Sequence, residues 1–191
     1  MEELKPINQL VEPDERQRFF ARLDPELREY RTLRQEDIYK DAAEISLHSG
    51  VPESIRSHFA TARNLLAYSW FYYPFNVTAE LLGYISVEFA LRKKYPENKR
   101  ASLKSLLERA INEGLLTEAG FSVGRRAQEV AAHHRVVRSP NRDLLNQVLG
   151  AMRELRNGLA HGSNTLHMKG AEAVLFCAEL INQLYPSPKD G

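Results

Sequence analysis

Cysteine is almost absent from this chain of 191 residues. The single copy, Cys177 in "AVLFCAELI", has no partner for an internal disulfide and falls at apolar helical spacing, so a buried, inert thiol is expected. A reducing, cytoplasmic compartment is the matching expectation. Long apolar runs are also missing. None approaches the roughly 18–20 residues that cross a bilayer, so no membrane association is expected. The first residues, "MEELKPINQLVEPDERQ", are acidic and polar and lack the basic and apolar regions of a secretory signal. No stretch alternates convincingly with period two, and there is no internal repeat or low-complexity tract. The glycine-rich phosphate loop, the nucleophile elbow, the dinucleotide fingerprint and zinc-ligand spacing are all missing. His133 and His134 are adjacent, so on a helix they point about 100° apart and do not easily chelate one metal. No metal and no cofactor are expected.

What is present suits one helical domain with an extra arm. Apolar residues make up 43% of the chain, enough for a core, and charged residues 27%, normal for a soluble surface. Gly and Pro fall mainly between apolar-periodic stretches, which points to an all-α fold. Residues 1–50 carry eight basic and twelve acidic side chains and read as a charged arm of two or three short helices over 13–48. Residues 51–186 read as the main domain and 187–191 as a frayed tail.

In "NLLAYSWFYYPFNVTAELLGYISVEFALRKKYP", Leu65, Leu66, Trp70 and Tyr73 lie at helical spacing. Pro74 predicts a break near Tyr73, because it lacks an N–H and clashes one turn back. Beyond it the stripe resumes with Val77, Leu81, Leu82, Ile85 and Phe89, expected to face inward, until Tyr95-Pro96 stops the helix. The aromatic cluster around Trp70 reads as core or dimer interface rather than a base-stacking platform. Glu88 and Arg92, at i and i+4 on this apolar stretch, are expected to form an internal structural ion pair. "SLKSLLERAINEGLL" is amphipathic and ends at Gly114; "HMKGAEAVLFCAELINQLYP" is the last helix, with Val174, Cys177, Leu180, Ile181 and Leu184 inward.

Net charge is near zero but unevenly spread. Residues 51–140 hold thirteen basic and eight acidic side chains. Within them, Arg92, Lys93, Lys94, Lys99, Arg100, Lys104 and Arg109 face only Glu97 and Glu108. Such a run is either a solvated helix face or a surface for a phosphate backbone, with Lys93, Lys94, Lys99, Arg100 and Lys104 as the candidate RNA contacts.

The stretch "ELRNGLAHG" closes a helix expected from about Asn141 to His161. Arg156 and His161 are about 140° apart on an ideal helix, whereas Asn157 and His161, at i and i+4, share a face. Gly162 suits a left-handed helix end. On residue types alone, the plain reading is a C-cap, with Arg156 in an ion pair such as one with Glu88. The chemical reading opens the last turn around a pocket, where His161 exchanges a proton near neutral pH and Arg156 holds a phosphate.

Arg156 followed by Asn157, the His four intervening residues after that Arg, the position on the penultimate helix and the upstream "VEFALRKKY" together resemble the HEPN (higher eukaryote and prokaryote nucleotide-binding) superfamily over about residues 55–185. The resemblance implies a bundle of four to five helices, here with an additional short-helix N-terminal arm. It further implies a homodimer whose paired Arg–His motifs line one cleft. Many such proteins are metal-independent endoribonucleases in toxin–antitoxin, phage-defence or RNA-processing systems. Carried over, His161 would be the acid–base residue, Arg156 the phosphate ligand and Asn157 the orienting group, with Glu88 and Arg92 in support. RNA and a regulatory protein would be the partners. Other members are binding modules without activity.

Overall fold

The computed structural model describes residues 3–24, 26–98, 100–122, 150 and 169–187. Among these the fold is all-α apart from one small hairpin. Five α-helices carry it: α1 (Gln35–Glu44), α2 (Glu53–Tyr68), α3 (Phe75–Lys94), α4 (Leu103–Asn112) and α5 (Gly170–Leu184).

α2 is amphipathic. Ile55, Phe59, Ala62 and Leu66 recur at helical spacing and are all buried. Its run ends before Pro74, and α3 starts again at Phe75, so the break falls where the missing N–H requires it. α3 packs against both α2 and α5 and is the central helix. Small residues make this possible. Ala79, Gly83, Ser86 and Ala90 are buried along its length, and a Cβ at Gly83 would stand 3.2 Å from the Cys177 sulfur of α5.

The inward face of α3 differs from the one expected. Val77, Gly83, Tyr84, Val87 and Leu91 are buried, whereas Ile85 and Phe89 are 44% and 37% exposed. A helix apolar on all sides offers periodicity no single face to choose; the small residues decide, because they let neighbouring helices approach.

α4 starts at Ser102, whose hydroxyl accepts the Ser105 N–H at 3.1 Å. Leu106, Leu107 and Ala110 are its buried face, and Gly114 closes it at φ +74°, a left-handed value that favours glycine. In α5, Val174, Cys177, Leu180, Ile181 and Leu184 are buried, as their spacing predicts.

The arm departs from the expected short helices. A 3₁₀ turn (Glu15–Phe19) leads into an antiparallel hairpin of β1 (Ala21–Leu23) and β2 (Tyr30–Thr32), and only α1 is an α-helix. Arg22 pairs with Arg31 across the two strands. Like charges opposite each other are normally unfavourable, but both guanidinium groups reach the first turns of α1. Arg31 donates to Asp37 at 2.6 and 2.7 Å, and Arg22 to Asp41. Asp37 also accepts the Arg34 N–H at 2.9 Å. Ion pairs with α1, rather than alternating apolar residues, hold this hairpin in place.

The arm lies against the α2–α3 junction. The Asp14 N–H donates to Trp70 O at 2.9 Å, Gln17 Nε2 donates to Ser69 O at 2.8 Å, and Lys5 Nζ donates to Phe71 O at 3.0 Å. The ring of Phe20 stacks on Tyr73 with centroids 5.3 Å apart.

Candidate functional site

The sequence motif and the described structure fall on different parts of the chain. Arg156, Asn157 and His161 lie outside the described residues, as do the expected helix over 141–161 apart from Gly150, the pair His133–His134, and Lys99. The remaining candidates lie on α3, α4 and the segment joining them.

Glu88 and Arg92 do pair: Arg92 Nε and an Nη donate to Glu88 Oε1 at 2.9 and 2.7 Å. Their side chains are 36% and 42% exposed, so the pair is on the surface and not internal as expected. An exposed i,i+4 pair contributes only about 0.3–0.5 kcal/mol. It sits on the outward side of α3 near Ile85 and Phe89, where it is available to a partner.

Arg92, Lys93 and Lys94 form the last turn of α3, where cations complement the negative end of the helix dipole. Lys93 Nζ donates to the Ser54 hydroxyl across the α2–α3 seam. The Lys94 ammonium stands 5.3 Å from the Tyr185 ring centroid. Arg100 is exposed, and Lys104 keeps only a loose 3.7 Å contact with Glu108. Arg109 is committed elsewhere: it bonds Glu97 and Glu113 and covers the Tyr95 ring at 4.2 Å. Among the described residues of the basic run, Arg92, Lys93, Arg100 and Lys104 are exposed.

Two polar groups escape a reading of spacing. His58 of α2 meets the buried Ser86 hydroxyl of α3 at 2.8 Å through Nδ1. Ser86 donates to Leu82 O at 2.7 Å. The two contacts place the Ser86 hydroxyl between the His58 ring and the backbone of its own helix. Glu80 is 6% exposed within the α3–α5 packing. Burial pushes its carboxyl up to about 7, partly opposed by the charge of Lys169 at the start of α5. The signal for Glu80 was a lone acid in "VTAELLGYISV"; for His58 no pattern pointed to it.

Among the described residues no group of three or more His, Cys, Asp or Glu is placed to hold a metal ion. No helix among them is long and apolar enough to cross a membrane. Comparison with protein-family models, with characterised proteins and with solved structures gives no match for this chain.

Proposed function

We propose that this chain is a HEPN-type endoribonuclease that works as a homodimer without metal. The observation that carries the reading is the Arg156-Asn157 pair followed by His161 and Gly162. In this reading His161 takes the proton of the RNA 2′-hydroxyl, whose oxygen attacks the adjacent phosphorus. The bond from phosphorus to the 5′-oxygen breaks, that oxygen is protonated, and the products end in a 2′,3′-cyclic phosphate and a 5′-hydroxyl. Arg156 stabilises the charge on the phosphate oxygens, and Asn157 orients the imidazole.

Support comes from two surfaces. The exposed Ile85 and Phe89, with the Glu88–Arg92 pair beside them, form an apolar stripe bearing both charge signs. A stripe of this kind is self-complementary about a two-fold axis, which suits a homodimer. Lys93, Arg100 and Lys104 offer cations to a phosphate backbone. A toxin–antitoxin or phage-defence setting in the cytoplasm, with a regulatory protein partner, is the biological form of the same proposal.

The i,i+4 placement of Asn157 and His161 before Gly162 favours one other reading, a non-catalytic module in which these residues cap a helix. Mixed single-stranded RNA incubated in EDTA with wild type and with His161→Ala separates the two. Cleavage by wild type alone supports the ribonuclease. No cleavage by folded, dimeric wild type, or equal cleavage by both, overturns it.

A further inference from the structure

The docked arm and the bundle bound an open cavity of about 690 Å³ that the proposed ribonuclease does not use. Its volume falls within the range of small-molecule sites. Phe20, Leu33, Ile38, Ile45, Leu66 and Leu175 give it an apolar lining. The hairpin and α1 form one wall, α5 the other, and the α2–α3 junction the floor.

Its polar groups share one property. Gln17 and Asn76 line the cavity and are 3% and 8% exposed. Each has spent a side-chain N–H on a backbone carbonyl: Gln17 Nε2 on Ser69 O at 2.8 Å, and Asn76 Nδ2 on Tyr73 O at 3.2 Å. Those carbonyls accept only, which fixes which way both amides point. Among the described residues, no donor meets Gln17 Oε1 or Asn76 Oδ1. Arg22, the one cation among the described lining residues, is held by Asp41. Glu44 and Glu172 add carboxylates at the rim; the first has only a 3.9 Å contact with Lys40. Among the described lining residues the hydroxyls of Tyr73 and Ser122 can either donate or accept, and that of Ser122 is spent on Glu179 Oε2 at 3.3 Å. Among the described residues the cavity therefore presents apolar surface, two amide oxygens of buried side chains that face no donor, and more carboxylates than cations.

We propose that this cavity is a binding site for a small organic cation, an ammonium or guanidinium carried on an aromatic or aliphatic body. The body fills the apolar lining, and the cation's N–H groups satisfy Gln17 Oε1 and Asn76 Oδ1 while its charge faces Glu172 and Glu44. A neutral alcohol of the same shape would offer a single donor and no charge, and an anionic ligand would meet like charge. The site bridges the arm and α5, so an occupant also fastens the arm to the bundle.

The test is calorimetric titration of the full chain with three matched probes: 2-naphthylmethylamine, 2-naphthylmethanol and 2-naphthoate. The amine is expected to bind at least about tenfold more tightly than either isostere. Glu172→Gln, an exposed change, is expected to narrow that gap. Leu175→Trp, also at an exposed position, is expected to fill the cavity and abolish binding while circular dichroism shows an unchanged helical content. Equal affinity for the three probes, no binding of the amine at millimolar concentration, or binding that survives Leu175→Trp in a folded protein would overturn the proposal. Because none of these readouts involves RNA, failure here is separate from failure of the ribonuclease reading.

Discussion

Asp14 and Tyr73 are joined across 59 residues: the Tyr73 backbone N–H donates to Asp14 Oδ2 at 2.8 Å, in a buried setting. The other carboxylate oxygen takes the Arg16 N–H at 3.0 Å and Arg16 Nε at 2.8 Å. Burial alone would raise the Asp14 pKa, but the hydrogen bonds from Arg16 and from the Tyr73 backbone outweigh it and hold the carboxyl below its ordinary value. Tyr73 lies in the link between α2 and α3 that Pro74 breaks, so this one carboxylate both caps the arm's 3₁₀ turn and ties the arm to the bundle.

Asp14→Ala is expected to loosen the arm rather than unfold the bundle. A buried N–H that loses a charged acceptor costs about 1–3 kcal/mol. Hydrogen exchange should speed up over residues 14–33 and at Tyr73, and stay unchanged in α4. Exchange that remains slow at Tyr73 would show that the anchor lies elsewhere.

Stability should fall with rising pH on account of Glu80. Its carboxyl is pushed from 4.5 up to about 7 by burial. An acid whose folded pKa is raised contributes fully below its unfolded value, and the contribution is lost as pH rises through the folded value. The decline should therefore run from about pH 4.5 to just above 7. Glu80→Gln is expected to remove it, with a gain of roughly 1–3 kcal/mol over wild type at pH 8 and little gain at pH 5. Thermal melts of both proteins across this range check the sign. Asp37 acts in the opposite sense. Its carboxyl is depressed by the hydrogen bond from Arg31, so its contribution is complete above 3.8 and lost only as pH falls below that.

Gly170→Ala should destabilise although alanine favours helices. A Cβ there would stand 2.9 Å from the Asn76 backbone carbonyl, and backbone cannot swing aside. The expected loss is about 1–3 kcal/mol, measured by urea denaturation. An unchanged midpoint would mean that α3 and α5 separate more easily than their packing implies.

The outer stripe of α3 makes the proposed dimer testable without RNA. Ile85→Glu places a charge on an already exposed position, so the fold should survive. Sedimentation should shift from dimer to monomer. Arg92→Ala, which breaks only an exposed pair, is expected to change stability by less than about 0.5 kcal/mol. A monomeric wild type would remove the dimer from the proposal.

Parts of this fold are legible in the sequence because single residues force them. Pro74 must end a helix, Pro96 follows the end of α3, and Gly114 takes a conformation that other residues avoid. The α5 face reads directly from its apolar spacing. The hairpin does not, because Arg22 and Arg31 are fixed by partners on α1 that no local pattern reveals. The orientation of α3 is hidden for a different reason. Its apolar residues surround the axis, and the choice of face rests on how closely Gly83 lets Cys177 approach. The exposed position of Glu88–Arg92 follows from that same choice. The chemistry proposed for Arg156, Asn157 and His161 rests on sequence, since these residues lie outside those described.

The central claim is most directly tested by an RNA of defined sequence, cleaved by wild type in EDTA, and remade with a 2′-deoxy sugar at the mapped cleavage position. A nuclease that uses the RNA's own 2′-hydroxyl should leave the modified strand intact at that position and give 2′,3′-cyclic phosphate ends on the unmodified one. Cleavage of the deoxy-substituted position, or 3′-hydroxyl products, would contradict the account.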